Sequence, residues 1–342
     1  MAETTATHRS ETVSDEFLSA IRRILVGFET PEIPLLVEPL AKGGNNRIYL
    51  VRVGEQGYVA KWYYDDAAVF RERMRAEYEF ILHARQFGIT CVPRPLGSDT
   101  QLQVALYEKI DGRRLIPGEL SSAHVIAAAR FFARLNAPEV RAAGQHLQAA
   151  SDACFSVTEH VKSVDVRIDR LAGVGGDPAA TEFMARLGSA WQGIKHRLDQ
   201  ANIRDDLQAE WRCLSPSDFG FHNALLRDDG TSCFLDFEYA GWDDPAKMIG
   251  DFFSHPGVPV PAEHLDAFIA ASLQPFTDAD AIAERARLLM DVARVRWCCI
   301  VMNDFLPQVA SRRQFADPAG APNERRRRQL AKAEIMLTKI NR

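Results

Sequence analysis

The stretch SPSDFGFHNALLRDDGTSCFLDFE, Ser215 to Glu238, decides the fold. Arg227, Asp228, Asp229, Gly230 and Thr231 interrupt two apolar runs with residue types that reverse a chain. Ala224-Leu225-Leu226 and Cys233-Phe234-Leu235 on either side are strand-sized. A hairpin folded about Asp229 sets Leu226 against Ser232 and Leu225 against Cys233, and brings Asn223 beside Leu235 and Asp236. Opposite or diagonal neighbours in such a ladder lie roughly 5 to 8 Å apart. An amide oxygen and a carboxylate at that spacing can share one hard cation. Oxygen-only ligation from few protein groups suits Mg²⁺, which keeps waters and takes substrate phosphates. Asp218, five positions before Asn223, enters the hairpin facing the same centre without joining the metal shell.

Asp, then Asn five positions on, then Asp after a hairpin resembles the catalytic loop and metal-binding Asp of kinase-type phosphotransferases. The chain is similar to the aminoglycoside phosphotransferase and choline kinase-like family, the small-molecule branch of the protein kinase-like fold. The family's loop usually reads His-Gly-Asp, where this chain has Pro216-Ser217-Asp218. Its metal segment reads Asp-x-Asp or Asp-x-Glu, matched by Asp236-Phe237-Glu238. Pro216 departs from the pattern and bears on how the loop is braced. The resemblance implies an α+β, two-lobed protein kinase-like fold. Residues 14–110 are expected to form a small antiparallel-sheet N-lobe with one long helix. Residues 111–342 are expected to form a larger, mainly helical C-lobe with the catalytic hairpin and acceptor site. ATP and Mg²⁺ are the implied cofactors, Asn223 and Asp236 the implied metal ligands, and Asp218 the implied base toward a small-molecule hydroxyl.

The resemblance also demands a phosphate-covering loop, a strand Lys and a helix Glu. Lys42-Gly43-Gly44-Asn45-Asn46 precedes the apolar run Ile48 to Val51, so Gly43, Gly44, Asn45 and Asn46 sit where backbone N–H groups can approach phosphate oxygens. By itself a double glycine reads as a plain hairpin turn, and its position ahead of this strand is what raises the phosphate reading. Gly57 to Trp62 reads as a strand, and its Val-Ala-Lys resembles the strand that presents the nucleotide-binding Lys, here Lys61; an ordinary edge-strand Lys is the alternative. Helical periodicity between Ala67 and Gly88 puts Glu77 on the stripe of Phe70, Met74, Phe80, Ile81 and Ala84, and Glu79 with Arg75 and His83. A core-facing carboxylate is costly unless paired, and Lys61 is the implied counter-ion, unless Glu77 snorkels to water. Val104 to Gly112 looks like the strand and hinge, where backbone near Glu108 and Ile110 would receive the adenine edge.

With 342 residues, 46% hydrophobic and 25% charged, the chain has the composition of an ordinary globular protein of two lobes or domains. A formal charge of −5 argues against general nucleic-acid affinity. No apolar span reaches the ~18 residues of a membrane helix and no secretion signal opens the chain, so a cytoplasmic location is expected. The six cysteines form no Cys-x-x-Cys pair and read as buried, inert thiols. Residues 1–13 read as a disordered tail. Ser14 and Ser156 are candidate helix caps, and the chain is mainly helical beyond Gly112 apart from the hairpin.

Other polar residues carry less. His222 reads as packed or solvated, and Glu238 as either a water-mediated metal contact or a surface carboxylate. Asp244-Pro245 resembles a structural element of the family, and Asp251 is set aside. Arg325 to Arg328 reads as a solvated helix face. From Arg312 to Arg342 there are nine Lys or Arg against three acids. That basic end disfavours a polycationic antibiotic and favours a neutral or anionic hydroxylated metabolite among the sugars, amino-alcohols and aminoglycosides the family admits. Pro216 also keeps open a catalytically silent, nucleotide-binding pseudokinase that serves as an interaction module.

Overall fold

The structure, a computed structural model, describes residues 14–26, 34–42, 46–63, 72–116, 118–174, 176–201, 203–307 and 322–340. The tail 1–13 and the loop residues Gly43, Gly44 and Asn45 lie outside them. Contacts divide the chain into two compact units, Met1–Ala68 with Pro95–Lys109, and Val69–Arg94 with Ile110–Arg342.

In the first unit Ser14 caps α1 (Asp15–Leu25) by accepting from the Phe17 N–H at 3.3 Å. Asp15 and Glu16 in its first turn and Arg22 and Arg23 in its last suit the helix dipole. Strands β1 (Leu35–Lys42), β2 (Asn46–Val53), β3 (Gln56–Tyr63), β4 (Pro95–Asp99) and β5 (Val104–Glu108) form an antiparallel sheet ordered β1-β2-β3-β5-β4. Strand alternation sends Tyr49, Val51 and Val53, then Tyr58 and Ala60, then Val104 and Leu106, into one core with Phe17, Ile21 and Leu25 of α1. Lys61 stands one residue out of that phase. It is paired in register with Ile48 and Ala105 and is buried, with its Nζ 5.0 Å from the Tyr63 ring centroid.

The second unit begins with α2 (Arg73–Gln86), on which Met74, Glu77, Phe80, Ile81 and Ala84 are buried. Glu79 is half-buried and ion-paired with Arg75 at 2.7 Å, so the helical phase separates the two carboxylates as expected. Phe80 stacks on Phe237 at 5.4 Å and the His83 ring lies 3.0 Å from the Val140 carbonyl. These contacts group α2 with the second unit, whereas the sequence boundary at 110 places it with the sheet.

The unit continues through β6 (Arg113–Arg114), α3 (Ser122–Leu135), α4 (Pro138–Ala143), α5 (Val157–Leu171), α6 (Pro178–Gln200), β7 (Cys213–Ser215), β8 (Ala224–Leu226), β9 (Ser232–Phe234), β10 (Gly241–Asp243), α7 (Pro245–Ser254), α8 (Leu265–Ser272), α9 (Ala279–Met302) and a last described helix, Pro322–Leu337. Ser156 caps α5 through the Glu159 N–H at 3.0 Å. β7 pairs with β10, while β6, β8 and β9 form a three-stranded sheet. The cysteines are free, and burial pushes up the thiols of Cys91, Cys154, Cys213, Cys298 and Cys299. Among the described residues no helix is long and apolar enough to cross a membrane.

Candidate active site

The loop leaving β7 is anchored before its polar residues begin. The amide of Asn136, at the end of α3 and fully buried, donates to the Leu214 carbonyl at 3.0 Å and accepts from the Leu214 N–H at 2.8 Å. The Ser217 N–H then donates to Ser215 Oγ at 3.1 Å. Ser217 and Asp236 adopt positive φ of 57° and 65°. A left-handed conformation costs a non-glycine residue about 1–2 kcal/mol, and surrounding packing has to hold it.

That packing is aromatic. In Asp218-Phe219-Gly220-Phe221-His222 and Asp236-Phe237-Glu238 every second residue is a phenylalanine directed inward. Phe219 lies 5.0 Å from Phe234 and 5.1 Å from Phe252; Phe234 stacks on Phe131 at 4.9 Å, and Phe252 on Phe268 at 4.4 Å. The hairpin has the expected register, Leu225 opposite Cys233 and Leu226 opposite Ser232. The Leu235 N–H donates to the Asn223 carbonyl at 2.8 Å, which brings Asn223 beside the strand end that leads into Asp236.

Asn223 Nδ2 lies 3.1 Å from the Asp218 carbonyl and 3.4 Å from Asp218 Oδ2. The other carboxylate oxygen, Oδ1, faces two imidazoles, with His222 Nε2 at 3.3 Å and His255 Nε2 at 3.8 Å. The rings stack almost parallel, 3.4 Å between centroids. Burial pushes the Asp218 carboxyl up, but the contact with His222, aided by the nearby His255, outweighs it and leaves the group below its usual range. Burial, with His222 beside it, lowers His255 to about 3, so that ring is neutral at physiological pH. Its Nδ1 accepts from the Gly257 N–H at 3.0 Å, which puts the proton on Nε2, toward Asp218. Asp218, His222 and His255 have the residue types of a metal site. In that tautomer Nε2 carries a proton and points it toward the carboxylate from 3.8 Å, beyond hydrogen-bond distance, so it has no lone pair for a metal.

A second cluster joins Glu77, Asp236 and Glu238, each offering a carboxylate oxygen, all within 4.8 Å of one another. Glu77 and Glu238 are buried, so Glu238 is no surface carboxylate. Three oxygen donors, with the Asn223 amide oxygen nearby in the chain, fit a hard divalent cation such as Mg²⁺ and would suit a soft one poorly. Asn46 begins β2 and is buried; Glu108 ends β5 opposite Tyr58; Ile110 is half-buried in the second unit.

Behind the loop lies an ionic network that sequence reasoning missed. Lys247 on α7 is buried and reaches Asp243 at 2.8 Å and Asp251 at 3.5 Å. Arg296 and the Trp297 indole N–H both contact Asp251 Oδ1, the indole at 2.7 Å. Asp244 caps α7 at the Ala246 N–H and meets Arg285 Nε at 2.8 Å and His160 at 3.1 Å. Asp244-Pro245 is a helix-start signal, but nothing local announces Arg285 or His160 as its partners. The basic C-terminal run is only partly solvated, since Arg325 is mostly buried and lies 3.4 Å from Asp304.

A five-stranded antiparallel sheet and a helical unit carrying an Asp–Asn loop and an acidic hairpin together define a protein kinase-like fold. Residues 36–288 match the model of the phosphotransferase enzyme family, APH, and the chain belongs to that family. It is a kinase by family. Among solved structures it is similar to a choline kinase from Cryptosporidium parvum Iowa II, with 12% identity and a TM-score of 0.59 over 95% of this chain and 97% of that one. A choline/ethanolamine kinase family protein from Mesorhizobium loti shows 16% identity and a TM-score of 0.59, over 93% of each chain. A spectinomycin phosphotransferase solved with ADP and spectinomycin shows 12% identity and a TM-score of 0.57, over 95% of this chain and 99% of that one. At such identities the likeness is one of fold. No curated protein matches the chain.

Proposed function

We propose that this kinase moves the γ-phosphoryl group of ATP to a hydroxyl of a small molecule, with Asp218 as catalytic base. The observation that carries the reading is the tether from Asn223 Nδ2 to Asp218, at 3.1 and 3.4 Å, on the same hairpin that presents Asp236. Because the amide nitrogen is turned to Asp218, its oxygen is left for a cation. Asp236 and Asn223 would hold Mg²⁺, which when bound offsets charge developing on the phosphoryl oxygens. Asp218, ionised at neutral pH, accepts or orients the proton of the acceptor hydroxyl. On the first unit, Lys61 and Glu108 are the groups we assign to the nucleotide.

The neighbours in fold are named for choline, ethanolamine and spectinomycin. For this chain the basic C-terminal segment, with nine Lys or Arg against three acids from Arg312 to Arg342, favours a neutral or anionic hydroxylated acceptor over a polycation. The test is ADP release from Mg²⁺-ATP over sugars, sugar acids, choline, ethanolamine and spectinomycin, with an Asp218→Asn control. Phosphorylated acceptor in step with ADP supports the reading. Nucleotide binding without turnover on any acceptor or on water supports the silent module instead.

A further inference from the structure

Pro216 gives the loop no side-chain donor, yet the Asp218 carboxylate is bracketed from elsewhere in the same unit. His222 returns to it through the short turn Phe221–Asn223. His255 arrives from the C-terminal end of α7, where it is the cap residue. Both direct Nε2 at one oxygen, Oδ1.

Each ring has a built seat. A side chain on Gly257 would place its Cβ 2.7 Å from His255 Cε1 and 2.8 Å from His222 Cβ, and one on Gly220 would come within 2.9 Å of His222 Nδ1. Only hydrogen at both positions lets the backbone close on the stacked rings. On its other side His255 meets the Trp297 ring edge-on at 4.4 Å, and that indole is fixed by its N–H to Asp251. The Gly257 N–H settles the His255 tautomer. Neither His222 nitrogen has a well-aligned hydrogen-bond partner among the described residues, so its Nε2, 3.3 Å from Oδ1, meets the carboxylate as a close polar neighbour and not through a formed hydrogen bond.

We propose that His255, wedged between Trp297 and His222, is a positioning residue whose Nε2–H, 3.8 Å from Asp218 Oδ1, orients the carboxylate electrostatically so that Oδ2, which Asn223 Nδ2 also approaches, meets the acceptor hydroxyl. The inference rests on the phosphotransferase reading of Asp218. It makes the brace of this catalytic loop a contact from α7 and not from the residue at position 216. A carboxylate oriented from its Oδ1 side presents its other oxygen to the incoming hydroxyl, and a misplacement of even 1 Å costs an enzyme up to about 10²-fold.

The test measures kcat, KM for ATP, Mg²⁺-ATP binding and thermal unfolding of the full chain, with ADP release read on water and on the acceptor selected by the screen. His255→Ala is expected to lower kcat about 10- to 100-fold while KM for ATP and nucleotide binding hold. His255→Gln, whose amide N–H can stand where Nε2–H stood, is expected to recover most of the loss. Gly257→Ala leaves both imidazoles in the sequence but pushes them off their seat, and is expected to lower kcat as His255→Ala does. Wild-type kcat in both alanine variants overturns the inference while leaving the kinase reading intact. So does a loss that glutamine leaves unrepaired, or one that tracks lost folding and nucleotide binding. Absence of ADP release by the wild type on every acceptor and on water overturns the reading and the inference together.

Discussion

Asn223 Nδ2 sits 3.1 Å from the Asp218 carbonyl and 3.4 Å from its carboxylate, so one amide ties the proposed base to the proposed metal ligand. Asn223→Ala removes the tether and the oxygen at once. The expected result is a kcat loss of at least about 10²-fold, together with a higher Mg²⁺ concentration for half-maximal rate. A Mg²⁺ titration of ADP release measures both. Unchanged Mg²⁺ dependence would remove Asn223 from the metal shell.

Asp218→Asn should reduce turnover by about 10²- to 10⁴-fold, the usual contribution of a general base, and spare ATP binding. His222→Ala asks what keeps Asp218 ionised. Burial acts to raise this carboxyl, and the His222 contact does most to lower it, so its removal should move the acid limb of the pH–rate profile upward. In the wild type the folded-state carboxyl lies below its unfolded value. Its contribution to stability is therefore present above the ordinary carboxylate range and is lost as pH falls through the folded value. An acid limb that stays put in His222→Ala contradicts this account.

Asp236 combines a left-handed backbone, φ 65°, with carboxylate neighbours Glu77 and Glu238. The backbone conformation is the costly feature. Asp236→Gly relieves the conformation, so the metal-free variant should be as stable as the wild type in urea unfolding or more stable, by up to about 1–2 kcal/mol. The same variant should lose the thermal stabilisation that Mg²⁺-ATP gives the wild type. Retained Mg²⁺-dependent stabilisation would falsify the assignment of Asp236 as a ligand.

Local chemistry made part of this site legible. The turn residues Asp228 to Thr231 and the two short apolar runs specify the ladder of Leu225 with Cys233 and Leu226 with Ser232. Helical period alone separates buried Glu77 from Glu79. His255 was invisible because it meets Asp218 only through tertiary folding, and a pattern along one helix reports a face, never the partner across it. The same limit hid Lys247 and Arg296, whose partner Asp251 was in view but set aside. β7 and β10 are three residues each, too short for alternation to declare them. The arginine run misled because a cationic string looks solvated until Asp304 is found beneath Arg325.

Arg285 tests whether the network behind the loop is structural. Asp244 is fully buried, and burial alone would raise its carboxyl; His160 and Arg285 outweigh that and hold it below its usual range. Arg285→Ala leaves the buried Asp244 charge without its guanidinium and with only His160 and the helix cap beside it, which should cost up to about 3–5 kcal/mol in urea unfolding, far more than an exposed pair. Adding Asp244→Asn should cost less than the sum of the single changes, since the stranded charge is gone. The pH dependence has a definite sign. In the wild type the depressed carboxyl stabilises above its unfolded value and loses that contribution as pH falls through the folded one. In Arg285→Ala the carboxyl keeps His160 but loses the guanidinium, so it lies higher than in the wild type and acidification protonates it sooner, which removes the penalty. The stability gap between the two proteins should therefore narrow as pH is lowered. A gap that stays constant from neutral to acid pH would mean that Arg285 acts through its hydrogen bond to the Arg204 carbonyl, 2.9 Å away, and not through the charge on Asp244.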